Sequence, residues 1–547
     1  MSPLRRLARD LRTARRIPLA QLRARARFVA LRRRYARNPE QPLDAARDAA
    51  RRTGPPPLGP MRRDVVAPEG PAAVEARAAA YAGGRFEYLG VARDLGFPPT
   101  FDVADASPLW EYQLQYLGSV LDLALTGRGA AARAVLDAWR ARHEARWERV
   151  AWHPYPASLR LANLVHAASA LGSWDALGDG AGELAALHAA YVAAHLEEDV
   201  RGNHLLENLR ALTLAGRGAA HRAQLATELA EQVLPDGGHF ERSAMYHVIV
   251  LHDLLQIAAV LPGVCDDAVR RMGAWLATVL CPDDEIPLLG DSARGFAPPA
   301  RAVLAAAGSG DGAPRAGVTH LADSGVAVLR DATTWALVDV GPICPEYLPA
   351  HGQSDTLSFE AWLRGVCVVT DPGLCEYTGP ERAWGRSARA HSTLTVDDRD
   401  ASEVYDSFRV GGRERLTGVA ADDRAVRATL EPWGVTARLT RRVALRPGGG
   451  LVIEDAAAAP AGSVVRARLH LAPDARVVGF DDDARVARLA TPRGAAVVRC
   501  TSPLRTEPGR RSPRFGVVEP TTILVAELPA GGAERRLCTE LFTEGAA

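Results

Sequence analysis

A change of hydrophobic period near residue 315 constrains the fold more than any other feature of the chain. Between about residues 72 and 310, apolar side chains recur every three to four positions. Segments 108–126, 130–148, 157–172, 181–197, 204–216, 218–234, 243–261 and 265–280 each read as a helix. Short glycine breaks such as Gly127-Arg-Gly129, Gly178–Gly182 and Gly216-Arg-Gly218 separate them, as antiparallel helical hairpins require. So many helices in series exceed a four-helix bundle, and no fixed repeat length supports a regular solenoid. After the Gly/Ala/Pro-rich stretch Ala305–Gly317 the period drops to two. In Leu357-Ser-Phe-Glu-Ala-Trp-Leu-Arg364, the apolar residues 357, 359, 361 and 363 share one face. Further segments of this kind run through 424–430, 435–445, 464–471, 485–489, 495–500 and 521–527, with turns such as Arg446-Pro-Gly-Gly-Gly450. That is the pattern of an antiparallel β-sandwich. The expected chain is therefore multidomain: residues 1–60 a basic helical segment and linker, 61–312 all helix, 313–547 all β.

Charge and cysteine usage narrow the function classes. A net charge of +1 gives no reason to expect a nucleic-acid partner. All 66 basic residues are Arg, so a single Arg says less than usual about guanidinium chemistry. Seven Cys without a CxxC spacing indicate neither a zinc cluster nor a disulfide framework. No window approaches the length of apolar chain that spans a bilayer, so no transmembrane segment is expected. Residues 1–38 hold thirteen Arg against one acid, Asp10. They read as a helix with Leu4, Leu7, Leu11 and Leu19. A solvated basic helix on the body and a helix touching an anionic membrane surface both fit this pattern. Arg23, Arg25 and Arg27 interrupt any signal-length apolar run, which favours the cytoplasm.

Histidines mark two candidate sites. The first surrounds Asn203-His204 and Asp236-Gly-Gly-His239-Phe-Glu-Arg242-Ser243-Ala-Met-Tyr246-His247. A helix beginning near 239 would place His239, Arg242, Ser243 and Tyr246 on one face. An imidazole, a guanidinium, a hydroxyl and a phenol in one stripe suit a cleft better than a core. The second surrounds His351-Gly-Gln353, Asp371 and His391, a mixed nitrogen and oxygen set weakly suggestive of a metal.

These residues resemble a known family. Asn203-His204-Leu-Leu-Glu-Asn-Leu-Arg210, the 236–247 segment and Leu289-Gly-Asp-Ser292 look like the helical half of the heparinase II/III-like polysaccharide lyases. His351-Gly-Gln-Ser-Asp-Thr-Leu-Ser-Phe-Glu360, Val369-Thr-Asp-Pro-Gly373 and Arg386-Ser-Ala-Arg-Ala-His391 look like its β half. The resemblance spans roughly 70–470 and implies an incomplete (α/α) toroid followed by an antiparallel β-sandwich. It also implies β-elimination on an anionic, uronate-containing polysaccharide. Such an enzyme must neutralise the uronate carboxylate, remove the C5 proton and protonate the departing 4-linked oxygen.

By residue, the resemblance matches Asn203, Tyr246 and His351 to the catalytic groups. Asn203, with His204, corresponds to the carboxylate-binding group, Tyr246 to the acid and base, and His351 to a base or sugar-orienting residue. His239, Arg242 and Arg386 lie in the matching motifs as substrate contacts. Gln353, Asp371 and His391 match the ligands of one structural divalent metal; no organic cofactor is implied. Gln353 departs from the family's second histidine, and an amide oxygen favours a harder cation than zinc. A polymeric substrate, in contrast to the interrupted N-terminal run, favours the cell envelope. Two other classes stay open. One is a non-catalytic glycan-binding or exopolysaccharide-assembly protein that keeps the fold. The other is a glycoside hydrolase using two of Glu207, Asp236 and Glu241.

Overall fold

The computed structural model of the protein describes residues 3–309, 315–529 and 534–544. The chain starts with three helices, α1 (Pro3–Ala14), α2 (Leu19–Arg37) and α3 (Gln41–Thr53). Helix α3 is no loose appendage, because Leu43, Ala46 and Ala50 are buried in one cluster with Trp110, Leu136 and Leu184. The expected linker 53–60 follows it, and Pro55 and Pro57 pack against Gly182 and Gly216 of the helical half.

Helices then dominate as far as Ala306. The expected helix at 108–126 divides into Pro108–Gln115 and Gly118–Leu125, because Leu117 takes a left-handed conformation (φ 54°) that no α-helix continues through. Between Gly202–Leu212 and Gly218–Gln232, Gly216 at φ 77° turns the chain where the sequence expects a break. Strand structure in this half amounts, among the described residues, to the short hairpin Arg85–Tyr88 and Val91–Asp94 and an isolated bridge between Val233 and His239. No described helix is long and apolar enough to cross a membrane.

Strands take over from Gly317. The expected junction at 312/313 lies outside the described residues. One antiparallel sheet runs, edge to edge, Leu504–Arg511, Glu519–Glu527, Val465–Leu471, Val366–Val369, Phe359–Leu363, Thr334–Asp339, Val326–Arg330 and Gly317–Leu321, with Leu394–Val396 also pairing to Val465–Leu471. The other runs Arg415–Ala421, Ala425–Glu431, Arg438–Leu445, Leu451–Ala458, Arg535–Thr543, Gly494–Cys500, Val486–Thr491 and Arg476–Asp481. The two sheets bury one shared core that includes Ala336, Phe359, Leu430, Leu439, Ile453 and Leu541.

Alternation along the first sheet also fixes the seam between the halves. Ala336 and Val338 point into the sandwich, while Trp335 and Leu337, displaced by one residue, join Leu254, Trp275 and Tyr246 of the helical half. Because this sheet is apolar on both faces, one layer serves two cores and fixes the helical half beside the loops that carry 341–358 and 370–393.

Candidate active site at the seam of the two halves

Asn203, Tyr246 and His351 meet at this seam. Asn203 stands in the first turn of helix Gly202–Leu212, and its backbone N–H donates to Glu241 Oε1 (3.0 Å). Gly202 at φ 55° permits this approach, since a Cβ there would lie 2.5 Å from that same oxygen. The other oxygen of Glu241 is 3.1 Å from His351 Nε2, and His351 Nδ1 is 2.9 Å from Asp291 Oδ2. The imidazole, carried by the β half, thus sits between two carboxylates of the helical half, Glu241 and Asp291, the latter from the loop between helices Asp266–Val279 and Ala300–Ala306. Tyr246 lies over the same ring, with centroids 3.9 Å apart. Its hydroxyl is 2.5 Å from that of Tyr377.

The sequence places Tyr246 by a cap. Ser243 ends the approach to helix Ala244–Val260, accepts from the Tyr246 N–H (3.3 Å) and donates to the Asp291 carbonyl (2.7 Å). The helix therefore starts at Ala244 and not near 239, which corrects the expected polar stripe. Arg242 at φ 60° cannot belong to a right-handed helix. Its guanidinium turns away to the carbonyls of Asp323 and Ser324, and His239 turns inward to Gln232 (3.2 Å). Burial lowers the pKa of His239 to about 4, so it is a neutral core residue.

Charge in the cluster follows from these contacts. Burial opposes a proton on His351, but the hydrogen bond to Asp291 and the ion pair with Glu241 outweigh it and raise its pKa to about 9. Burial likewise opposes ionisation of Glu241, and His351 reverses the balance to about 2. Asp291 is also held below the usual carboxylate range, with burial outweighed by Arg382 and His351. At neutral pH the centre is an imidazolium between two carboxylates. The Tyr246 phenol is pushed well above its ordinary value by burial and by Tyr377, so it is a neutral hydroxyl.

This arrangement gives a pH signature of stability. His351 has a folded pKa above its unfolded value of about 6.5, so its contribution is complete below about 6.5 and is lost as pH rises through about 9. The melting-temperature gap between the wild type and His351→Gln should shrink between pH 6.5 and 9.5. A gap that stays constant or widens over that range would contradict a buried imidazolium.

Other sequence candidates occupy different positions. His204 borders the site with its ring against Tyr155 (4.4 Å) and Nδ1 on Glu197 (2.9 Å). Burial opposes its charge but Glu197 raises its pKa. The Asn203 amide makes no hydrogen bond among the described residues, which leaves it available to a ligand. Arg386 is buried, and its donors end on the carbonyls of Gly352, Tyr405, Asp406 and Arg409. That corrects its expected substrate contact to a clamp on the 405–409 loop. The guanidinium that reaches the centre is Arg382, paired to Asp291 and donating to Ala350 O and Ser407 O (both 2.9 Å). Asp291 sat within a recognised motif, but with no role attached. Tyr377 and Arg382 carried no sequence signal, since only the fold brings their segment to Tyr246.

The expected metal ligands do not fit a metal as they stand. His391 directs Nδ1 to Asp371 Oδ2 (2.8 Å) and Nε2 to the Gly385 carbonyl (2.9 Å), so both ring nitrogens are taken. Burial opposes its charge, yet Asp371 raises its pKa to about 9. Gln353 donates to Gly290 O and Asp291 Oδ1 (2.9 Å each). Of the three expected ligands, Gln353 Oε1 and Asp371 Oδ1 are buried oxygens without a hydrogen-bond partner among the described residues. Dialysis against a chelator should leave the melting temperature unchanged. A marked drop, restored by zinc or magnesium, would show that His391 releases a nitrogen to a metal.

The chain matches two family descriptions, "Heparinase II/III N-terminus" over residues 140–301 and "Heparinase II/III-like, C-terminal" over 313–538. It belongs to the heparinase II/III-like family. Within it, the chain is 28% identical over 259 residues to heparin-sulfate lyase of Pedobacter heparinus, covering 39% of this chain and 38% of that protein. It is 27% identical over 343 residues to FtsZ-localized protein C of Caulobacter vibrioides, covering 56% of each. The matches thus span well under two thirds of either relative's length. A crystal structure of heparinase III superposes with a TM-score of 0.72 at 16% identity, over 96% of this chain and 92% of that one. That likeness confirms the fold, helices followed by antiparallel sheets.

Proposed function

We propose that this protein is a polysaccharide lyase that cleaves a uronate-containing glycan by β-elimination. The observation that carries the reading is the convergence of an unoccupied amide, an imidazolium and a paired tyrosine hydroxyl, drawn from both halves of the chain. In this mechanism Asn203 donates to the uronate carboxylate, with His204 beside it, and the His351 charge stabilises the enolate-like anion that forms as C5 loses its proton. Tyr246 gives its proton to O4 as the C4–O4 bond breaks. In the same step its oxygen takes the C5 proton and the C4–O4 electron pair leaves on O4, while the Tyr377 hydroxyl balances the charge on the phenol oxygen. The C5–H electron pair becomes the C4=C5 double bond and Tyr246 ends as it began. Glu241, Asp291 and Arg382 act as positioning residues, holding His351 and keeping it charged. A protonated His351 suits electrostatic stabilisation better than proton abstraction, which supports this role for it.

Similarity to a heparin-sulfate lyase and to heparinase III supports an anionic glycan as the substrate class. A second reading, a non-catalytic member that keeps the fold, takes support from the likeness to FtsZ-localized protein C, whose name describes a location and no reaction. A panel of uronic-acid polysaccharides separates the readings. A lyase generates new ultraviolet absorbance from the conjugated double bond. New reducing ends without absorbance would make it a hydrolase, and binding without cleavage would leave the non-catalytic reading.

A further inference from the structure

Helix α1 is turned inside out. A surface helix ordinarily buries its apolar stripe and shows its charges to water. Here the polar side is the docked one. Arg12 pairs with Glu403 (2.6 Å), and the Thr13 hydroxyl bonds Tyr405 Oη (2.7 Å) and donates to the Val410 carbonyl (3.2 Å). The Arg9 guanidinium lies 3.6 Å over the Tyr405 ring. On the opposite side Leu4, Leu7 and Leu11 form a ridge at helical spacing, with 80%, 57% and 49% of their surface exposed. Leu19, at the start of α2, is 70% exposed, and α1 buries none of its residues.

The ridge is framed by positive charge. Arg5, Arg6 and Arg15 are exposed around α1, and Arg23, Arg27 and Arg33 along α2. Residues 1–38 sum to +12 in a chain of +1, so residues 39–547 carry −11. The charge is therefore divided between a cationic arm and an anionic body. The arm is held to both halves, by the contacts of α1 to the 403–410 segment and by those of α2 to the helical half. Gln21 donates to Asp199 O (3.2 Å), and Tyr35 bonds His195 (2.8 Å).

We propose that α1 and the start of α2 dock this protein on an anionic lipid bilayer, the leucine ridge entering the headgroup boundary and the arginines meeting lipid phosphates. Apolar area together with cationic flanks is the combination that binds such surfaces. Charge complementarity favours lipid over an arm-to-arm pairing of two copies, because a partner's arm would bring the same thirteen arginines to the leucine ridge. The body's own negative charge turns the arm, and not another face, toward the membrane.

Co-sedimentation of the full-length protein with vesicles tests this. Vesicles of phosphatidylcholine mixed with phosphatidylglycerol should bind at least about ten-fold more strongly than phosphatidylcholine alone, and high salt should weaken that binding. Leu7→Ser with Leu11→Ser should lose about ten-fold or more with a melting temperature little changed, since neither side chain belongs to a buried core. Arg23→Gln with Arg33→Gln should weaken binding to anionic vesicles only. Undiminished binding by the leucine variant would overturn the proposal, as would failure of the wild type to bind. So would a wild-type dimer that the leucine variant converts to monomer without any vesicle binding.

Discussion

Tyr246→Phe should lower kcat/KM on an accepted uronate polymer by about 10²–10⁴-fold, roughly 3–5 kcal/mol of barrier. The substitution removes the hydroxyl that transfers the proton and keeps the ring that stacks on His351. Its thermal effect should be small, within about 1–2 kcal/mol, because one hydrogen bond to Tyr377 is lost and the Tyr377 hydroxyl can turn to water. Activity falls and stability holds. A purely structural tyrosine would show the reverse, and near-normal turnover in this variant would remove Tyr246 from the mechanism.

Asp291→Ala should be the most destabilising single change at the site, costing roughly 3–5 kcal/mol. This carboxylate is fully buried and serves three partners at once: the His351 ring, the Arg382 guanidinium and the Gln353 amide. Removing it leaves a buried guanidinium with carbonyl partners alone and frees the imidazole to rotate toward Glu241. Activity should fall with stability, and Asp291→Asn should recover part of the stability but little of the activity, since it restores shape without charge. Denaturant unfolding of both variants checks this. An Asp291→Ala protein as stable as the wild type would mean that the Arg382–Asp291–His351 chain does not organise the seam.

The architecture was legible because hydrophobic period is a local property of the chain. Windows at 130–148, 157–172 and 464–471 carry their own element type and need no partner to declare it. Strand Arg535–Thr543 shows the limit. It lies in the middle of a sheet, between Leu451–Ala458 and Gly494–Cys500, yet its buried positions mix Arg535 and Thr539 with Leu537 and Leu541 while Cys538 and Phe542 take the other face, which blurs the alternation.

The site divides along the same line. Asn203, Tyr246 and His351 were visible through motifs, and the fold brings them together. The directions of Arg242 and Arg386 were not visible, because a positive φ and a ring of backbone carbonyls decide them. Tyr377 and Arg382 come from a connecting segment of the β half and reach Tyr246 and Asp291 only through long-range packing. The inside-out setting of α1 was equally hidden. Its amphipathic pattern is plain in the sequence, but Glu403, Tyr405 and Val410 decide which face docks.

The central claim is elimination at the seam, and the mass of the fragments released from a purified uronate polymer tests it most directly. Elimination breaks the C4–O4 bond without consuming water. The account predicts fragments whose new non-reducing end is lighter by one water than a hydrolytic fragment, with no oxygen incorporated from labelled water. Fragments that have gained a water, or that carry solvent oxygen at the cleaved bond, would contradict it.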